Sequence, residues 1–190
     1  MGLQFLMEFP MKSAAILVAT VATLAVSLSA FAAPRSEADI RRGVASAVER
    51  YANAVSCGGV SVKPEDVLTL SAYRDGEAAL PKYAVLWTGD LGCFGGSGTE
   101  MTRLSIATIN TGQYVVQPEL SSPVAAFESP VRFVSRVVSS GPDTLVMEGM
   151  EYTPHDPRSK PSKAVRFTLR LDAKGGWRQV DKIGIAAVRP

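Results

Sequence analysis

Residues 36–55, SEADIRRGVASAVERYANAV, decide how the rest of this chain is read. Ile40, Val44, Val48, Tyr51 and Val55 recur three or four positions apart, the spacing that gathers them on one face of an α-helix. Arg41, Arg42, Glu49 and Arg50 fill the opposite face. Ser36, followed three residues later by Asp39, resembles a capping box, and Gly58-Gly59 ends the run. A helix with one apolar stripe needs a surface to cover.

Everything downstream reads as strand and turn. Val67 to Arg74 and Tyr83 to Thr88 are rich in β-formers and are separated by Asp75-Gly76-Glu77 and Pro81. Thr102 to Asn110 and Tyr114 to Gln117 flank Asn110-Thr111-Gly112, a hairpin signal. Val131 to Val138 and Leu145 to Tyr152 flank Ser140-Gly141-Pro142-Asp143. Ala164 to Leu171 and Trp177 to Ile183 flank Asp172-Ala173-Lys174-Gly175-Gly176. The expected fold is α+β, with the N-terminal amphipathic helix packed on one curved, mostly antiparallel sheet of seven or eight strands. Its element order is similar to the layering of cystatin or NTF2-like folds. A small β-barrel with an N-terminal helix is the alternative.

Residues 1–32 have the parts of a secretory signal peptide: Lys12, the apolar run Ala14 to Val26, and Ala30-Phe31-Ala32 before Ala33-Pro34. Met11 would be a tidier start than Met1. The stretch from Ala14 to Ala33 is just long enough to span a bilayer, but Ala, Ser and Thr dilute it and insert weakly. Cleavage near Ala32 is therefore expected, leaving residues 33–190 as a single mature domain without stable membrane insertion. The Ala-, Val- and Arg-rich composition points to a bacterial envelope, hence a periplasmic or secreted protein. Cys57 and Cys93, an even pair in an oxidising compartment, are expected to be disulfide-bonded. With one His in the whole chain, neither a metal site nor a Cys-His nucleophile is built around them, and no cofactor is expected.

Net charge is +2, divided unevenly. Residues 33–130 carry 8 Lys and Arg against 11 Asp and Glu, and residues 131–190 carry 11 against 6. That balance is too mild for a nucleic-acid partner. Alternation places Arg166 and Arg170 opposite Val165, Phe167, Leu169 and Leu171. The same counting pairs Arg178 with Lys182, and Arg132 with Arg136, so these six cations form a candidate binding patch for an acidic protein, an anionic glycan or a lipid head group. A solvated sheet face, its cations paired with Glu148, Asp172 and Asp181, is the competing reading. Glu148 and Glu151 fall on opposite faces of their strand and cannot serve as a glycosidase pair.

Gly95, Gly96, Ser97 and Gly98 form a candidate binding loop beside Cys93. It lacks the Lys and Ser or Thr of a phosphate-binding P-loop, and the segment after it reads as strand, so a tight disulfide-anchored connection explains it more simply. Ser97 with His155 and Asp90 or Asp156 could compose a hydrolase triad on paper, although Thr99 stands where a nucleophile elbow requires Gly. Trp87 alternates with Tyr83 and Val85, as core beneath the helix would. The expected role is an exported, non-enzymatic protein-binding module, an inhibitor or immunity-type protein being one form, with another envelope or secreted protein as partner. The alternatives are a small-molecule binder with a pocket between helix and sheet, and a small secreted hydrolase.

Overall fold

The computed structural model describes residues 35–74, 80–96, 99–157 and 160–186, all within one unit of the chain. The expected leader over residues 1–32 lies outside them, as do Asp75-Gly76-Glu77, Ser97, Gly98, Arg158 and Ser159.

Helix α1 runs from Glu37 to Val55. The Ser36 hydroxyl oxygen accepts the Asp39 N–H at 3.1 Å, satisfying a first-turn donor that has no partner inside the helix. At the other end the Ser56 hydroxyl donates to the Ala52 carbonyl at 2.7 Å. Eight strands follow among the described residues: β1 Val67–Ser71, β2 Lys82–Gly89, β3 Met101–Asn110, β4 Gln113–Val116, β5 Val134–Ser140, β6 Thr144–Glu151, β7 Lys163–Leu171 and β8 Trp177–Gly184. They do not form one sheet. They divide into two antiparallel sheets of four, ordered β1-β2-β3-β4 and β5-β6-β7-β8, and neither is closed into a barrel.

The first sheet explains the division. Tyr83, Val85 and Trp87 of β2, with Ala107 and Ile109 of β3, pack against Ile40, Val44, Val48 and Ala52 of the helix. The alternate residues Ala84, Leu104 and Ile106 face the other way, against Leu145, Met147, Val165, Phe167, Leu169 and Trp177. The sheet is thus apolar on both faces, and each face needs its own cover. The helix covers one and the second sheet covers the other, giving a helix–sheet–sheet stack.

Residues 117–133 carry the chain between the sheets. Ser121 and Ser122 extend the edge left by β4: the Ile106 N–H donates to the Ser121 hydroxyl at 2.9 Å, and the Ser122 N–H donates to the Leu104 carbonyl at 2.8 Å. The segment then crosses β6 at Gly149, where an added Cβ would stand 2.7 Å from the Phe133 carbonyl oxygen. Only glycine admits that approach. The free edges of β1 and β5 meet where the Ser140 hydroxyl donates to the Thr69 carbonyl at 3.4 Å.

Candidate functional site

The expected disulfide is present, with Cys57 and Cys93 Cα atoms 5.1 Å apart. It joins the segment after α1 to the loop after β2, beside a bridge in which the Cys57 N–H donates to the Asp90 carbonyl at 2.9 Å. The Asp90 side chain is buried and holds the same loop from inside. Its two carboxylate oxygens accept the N–H groups of Gly92 and Gly95, each at 3.0 Å. Burial works to raise the pKa of Asp90, and the hydrogen bonds from Gly95, Thr99 and Gly92 outweigh it, so the carboxyl stays below its ordinary value. Cys93, Gly95 and Gly96 take positive φ angles of 54°, 68° and 95°. Two of the loop's N–H groups, the kind that an anion cradle needs, therefore serve this chain's own carboxylate. Ser97 and Gly98, the rest of the candidate loop, lie outside the described residues.

The anchored loop presents a residue that sequence reasoning passed over. Phe94 is 85% exposed, and its ring lies over the space where Gly92 lacks a side chain. Met101, 39% exposed, opens β3 opposite Gly89 at the same end of the first sheet. Beside it the Thr102 N–H donates to the Arg132 carbonyl at 2.9 Å, bringing in Phe133, 43% exposed, with the Arg132 guanidinium 4.7 Å from its ring centre. Phe94 lies between Cys93 and a run of glycines, where no periodicity can hide it. That was the available signal.

The six cations of the candidate patch separate. Arg136, Arg166, Arg170 and Arg178 share the outer face of the second sheet, since the register pairs Arg136 with Glu148, Glu148 with Arg166, and Arg170 with Arg178. Lys182 does not share a face with Arg178, as simple alternation had it. The register passes from Leu169↔Gln179 to Thr168↔Asp181, so Val180 is an extra residue, and the bulge turns Lys182 to the Phe167 side. Arg132 does not share a face with Arg136 either. It precedes β5, its Nε donates to the Glu100 carbonyl at 2.8 Å, and the register skips Ser135 between the two positions.

Most of these cations are bound to carboxylates. Glu148, only 5% exposed, accepts the Arg136 Nε at 2.6 Å and the Arg166 Nε and Nη2 at 2.8 and 2.6 Å. The hydrogen bond from Arg136, then that from Arg166, lowers its pKa to about 2. Arg178 bridges Asp172, at 3.0 Å, and Glu128. Lys182 and Lys163 share Glu151, which lies on the opposite face from Glu148. Among the described residues Arg170 alone of the outer-face cations has no ion pair.

His155 is exposed in a turn whose neighbour Asp156 is already engaged, accepting the Ser162 hydroxyl at 2.6 Å and the N–H groups of Thr153 and Ser162 at 2.8 and 2.9 Å. Those bonds, the Ser162 hydroxyl foremost, hold Asp156 at a pKa of about 2. Among the described residues no three His, Cys, Asp or Glu side chains gather as a metal ion requires. Nor is any helix among them long and apolar enough to cross a membrane.

The layer between helix and first sheet is filled by side chains, Trp87 donating its Nε1–H to the Ser105 hydroxyl at 3.0 Å. Tyr51 reaches past it to donate to the Ser122 carbonyl at 3.0 Å, and Phe167 belongs to the other core. Among the described residues, open space lies elsewhere. A cleft of about 650 Å³ runs between the first sheet and β5, floored by Leu68, Leu86, Val134 and Val137 and rimmed by Glu65, Asp66, Glu100 and Arg136. Its lining includes Glu100 and Thr102, at the start of β3, and Val134, at the start of β5. No protein-family model matches the chain, and no curated protein or solved structure matches it either.

Proposed function

We propose that residues 33–190 act as an exported, non-enzymatic interaction module of the bacterial envelope, in the periplasm or outside the cell, whose partner is another envelope or secreted protein. An inhibitor or immunity-type role is its concrete form. The observation that carries this reading is Phe94: an aromatic side chain 85% exposed on a loop fixed by a disulfide, a strand bridge and a buried carboxylate. A large apolar ring held rigidly in water carries little ordering cost when a partner covers it, which is how aromatic anchors dominate protein interfaces. Met101 and Phe133 widen the same apolar end. The cystatin- or NTF2-like layering belongs to the same proposal. A helix lying across an antiparallel sheet supports that layer, and the second sheet is an addition to it.

The hydrolase alternative has less behind it, because Asp90 and Asp156, the acids a triad would draw on, are both consumed by loop hydrogen bonds. The test is to immobilise the domain spanning residues 33–190, expose it to an envelope extract, and assay the same domain against ester, peptide and glycoside substrates. Saturable retention of a defined protein with no turnover is expected. Turnover with no retained protein would overturn the reading.

A further inference from the structure

We infer that the cleft between the first sheet and β5 receives an extended segment of the partner protein that carries apolar side chains next to Lys or Arg. This rests on the binding-module reading and adds to it the chemistry of the recognised segment.

Charge is the first argument. Three carboxylates, Glu65, Asp66 and Glu100, stand on the rim, all on exposed residues. Among the described lining residues the cation is Arg136, already committed to Glu148 at 2.6 Å, and Arg132 stands beside the rim with its Nε on the Glu100 carbonyl at 2.8 Å. Asp66 accepts the Lys63 N–H at 2.9 Å, while the side chains of Glu65 and Glu100 have no ion pair among the described residues. The described lining therefore carries more acid than base beside the apolar Leu68, Leu86, Val134 and Val137, and complementarity asks for a cation attached to something apolar.

The second argument concerns shape and backbone. The β1 edge is already covered: Val67 gives its N–H to the Pro64 carbonyl and receives Arg41 Nη1 at 2.9 Å on its own carbonyl, and Thr69 receives Ser140. A segment cannot add to β1, so it lies toward β5. There Ser135, skipped by the register with β6, lines the cleft with its main chain outside the ladder. A bulged strand beside an apolar floor suits main-chain contact with an extended peptide, side chains alternating between floor and rim.

The test titrates the 15N-labelled domain with the acetylated, amidated peptide Lys-Leu-Val-Lys, its Glu-Leu-Val-Glu counterpart, and n-hexylamine. The Lys peptide is expected to shift the amide signals of Leu68, Thr88, Thr102 and Ser135 saturably, and the Glu peptide to leave them in place. Glu65→Gln and Glu100→Gln, both at exposed positions, should each weaken binding by roughly two- to fivefold, and raised salt should weaken it further. Equal binding of both peptides, shifts confined to another surface, or hexylamine binding as tightly as the Lys peptide would overturn the inference. If the Lys peptide fails while the domain still retains a protein partner, the cleft assignment falls and the binding-module reading stands. If both fail, both fall.

Discussion

The two sheets have the same number of strands, the same sequential order and the same antiparallel pairing, yet they sit in different surroundings. In the first, neighbouring residues of β2 are buried in opposite directions: Tyr83 under the helix, Ala84 against the second sheet, and Val85 under the helix again. In the second, β7 buries Val165, Phe167 and Leu169 and turns Arg166, Thr168 and Arg170 outward. The lesson is that the first sheet specifies the stack and the second closes it. Loops and edges at the rim of the first sheet stand on a layer buried on both faces, and Phe94 and the cleft are found there.

The comparison can be broken by removing volume. Phe167→Ala should lower stability by about 3–5 kcal/mol, whereas Thr168→Ala, one residue along and on the outer face, should stay within about 0.5 kcal/mol. Urea denaturation of the two variants reads the contrast directly; similar losses would mean that both faces of the second sheet are packed. Next comes the covalent tie that the first sheet has and the second lacks. Replacing Cys57 and Cys93 by Ser should cost roughly 3 to 4 kcal/mol by the entropy of the opened loop, measured the same way.

Overfilling sharpens the comparison further. Ala84 and Ala107 are fully buried on opposite faces of the first sheet. Ala84→Leu and Ala107→Leu should therefore each cost about 1–3 kcal/mol, while Thr168→Leu should be nearly neutral. The smallest effect is electrostatic and belongs to the outer face of the second sheet. Glu148 has its pKa lowered to about 2 by Arg136 and Arg166, so its contribution is complete above the ordinary carboxylate range and disappears as pH falls from about 4.5 toward 2. The urea midpoint of the native domain should fall across that window, and that of Glu148→Gln should fall less steeply. Equal slopes would mean that the pairing adds nothing to stability.

All eight strands and the helix were legible in the sequence within a few residues, because turn residues and periodicity are local signals. The partition into two sheets was not, although β2 held a clue. Tyr83-Ala84-Val85-Leu86-Trp87 is apolar at every position, the mark of a strand covered on both faces, and reading only Tyr83, Val85 and Trp87 as core left Ala84 and Leu86 without a neighbour. The cationic patch was half legible. Alternation is valid only while the ladder is regular, and bulges at Ser135 and Val180 reverse it for residues beyond them. The disulfide followed from counting cysteines. The cleft could not be read at all, since it depends on how two strand edges 71 residues apart in the chain come together at Thr69 and Ser140.

Phe94→Ala is the most direct test of the account. The ring is exposed, so the substitution should leave the urea midpoint of the domain within the equivalent of about 0.5 kcal/mol of native. Affinity for the protein retained from the envelope should meanwhile drop by at least about tenfold, as loss of an aromatic anchor requires. A variant that folds as well as the native domain and binds that partner as tightly would contradict the claim that this end of the first sheet is where the protein does its work.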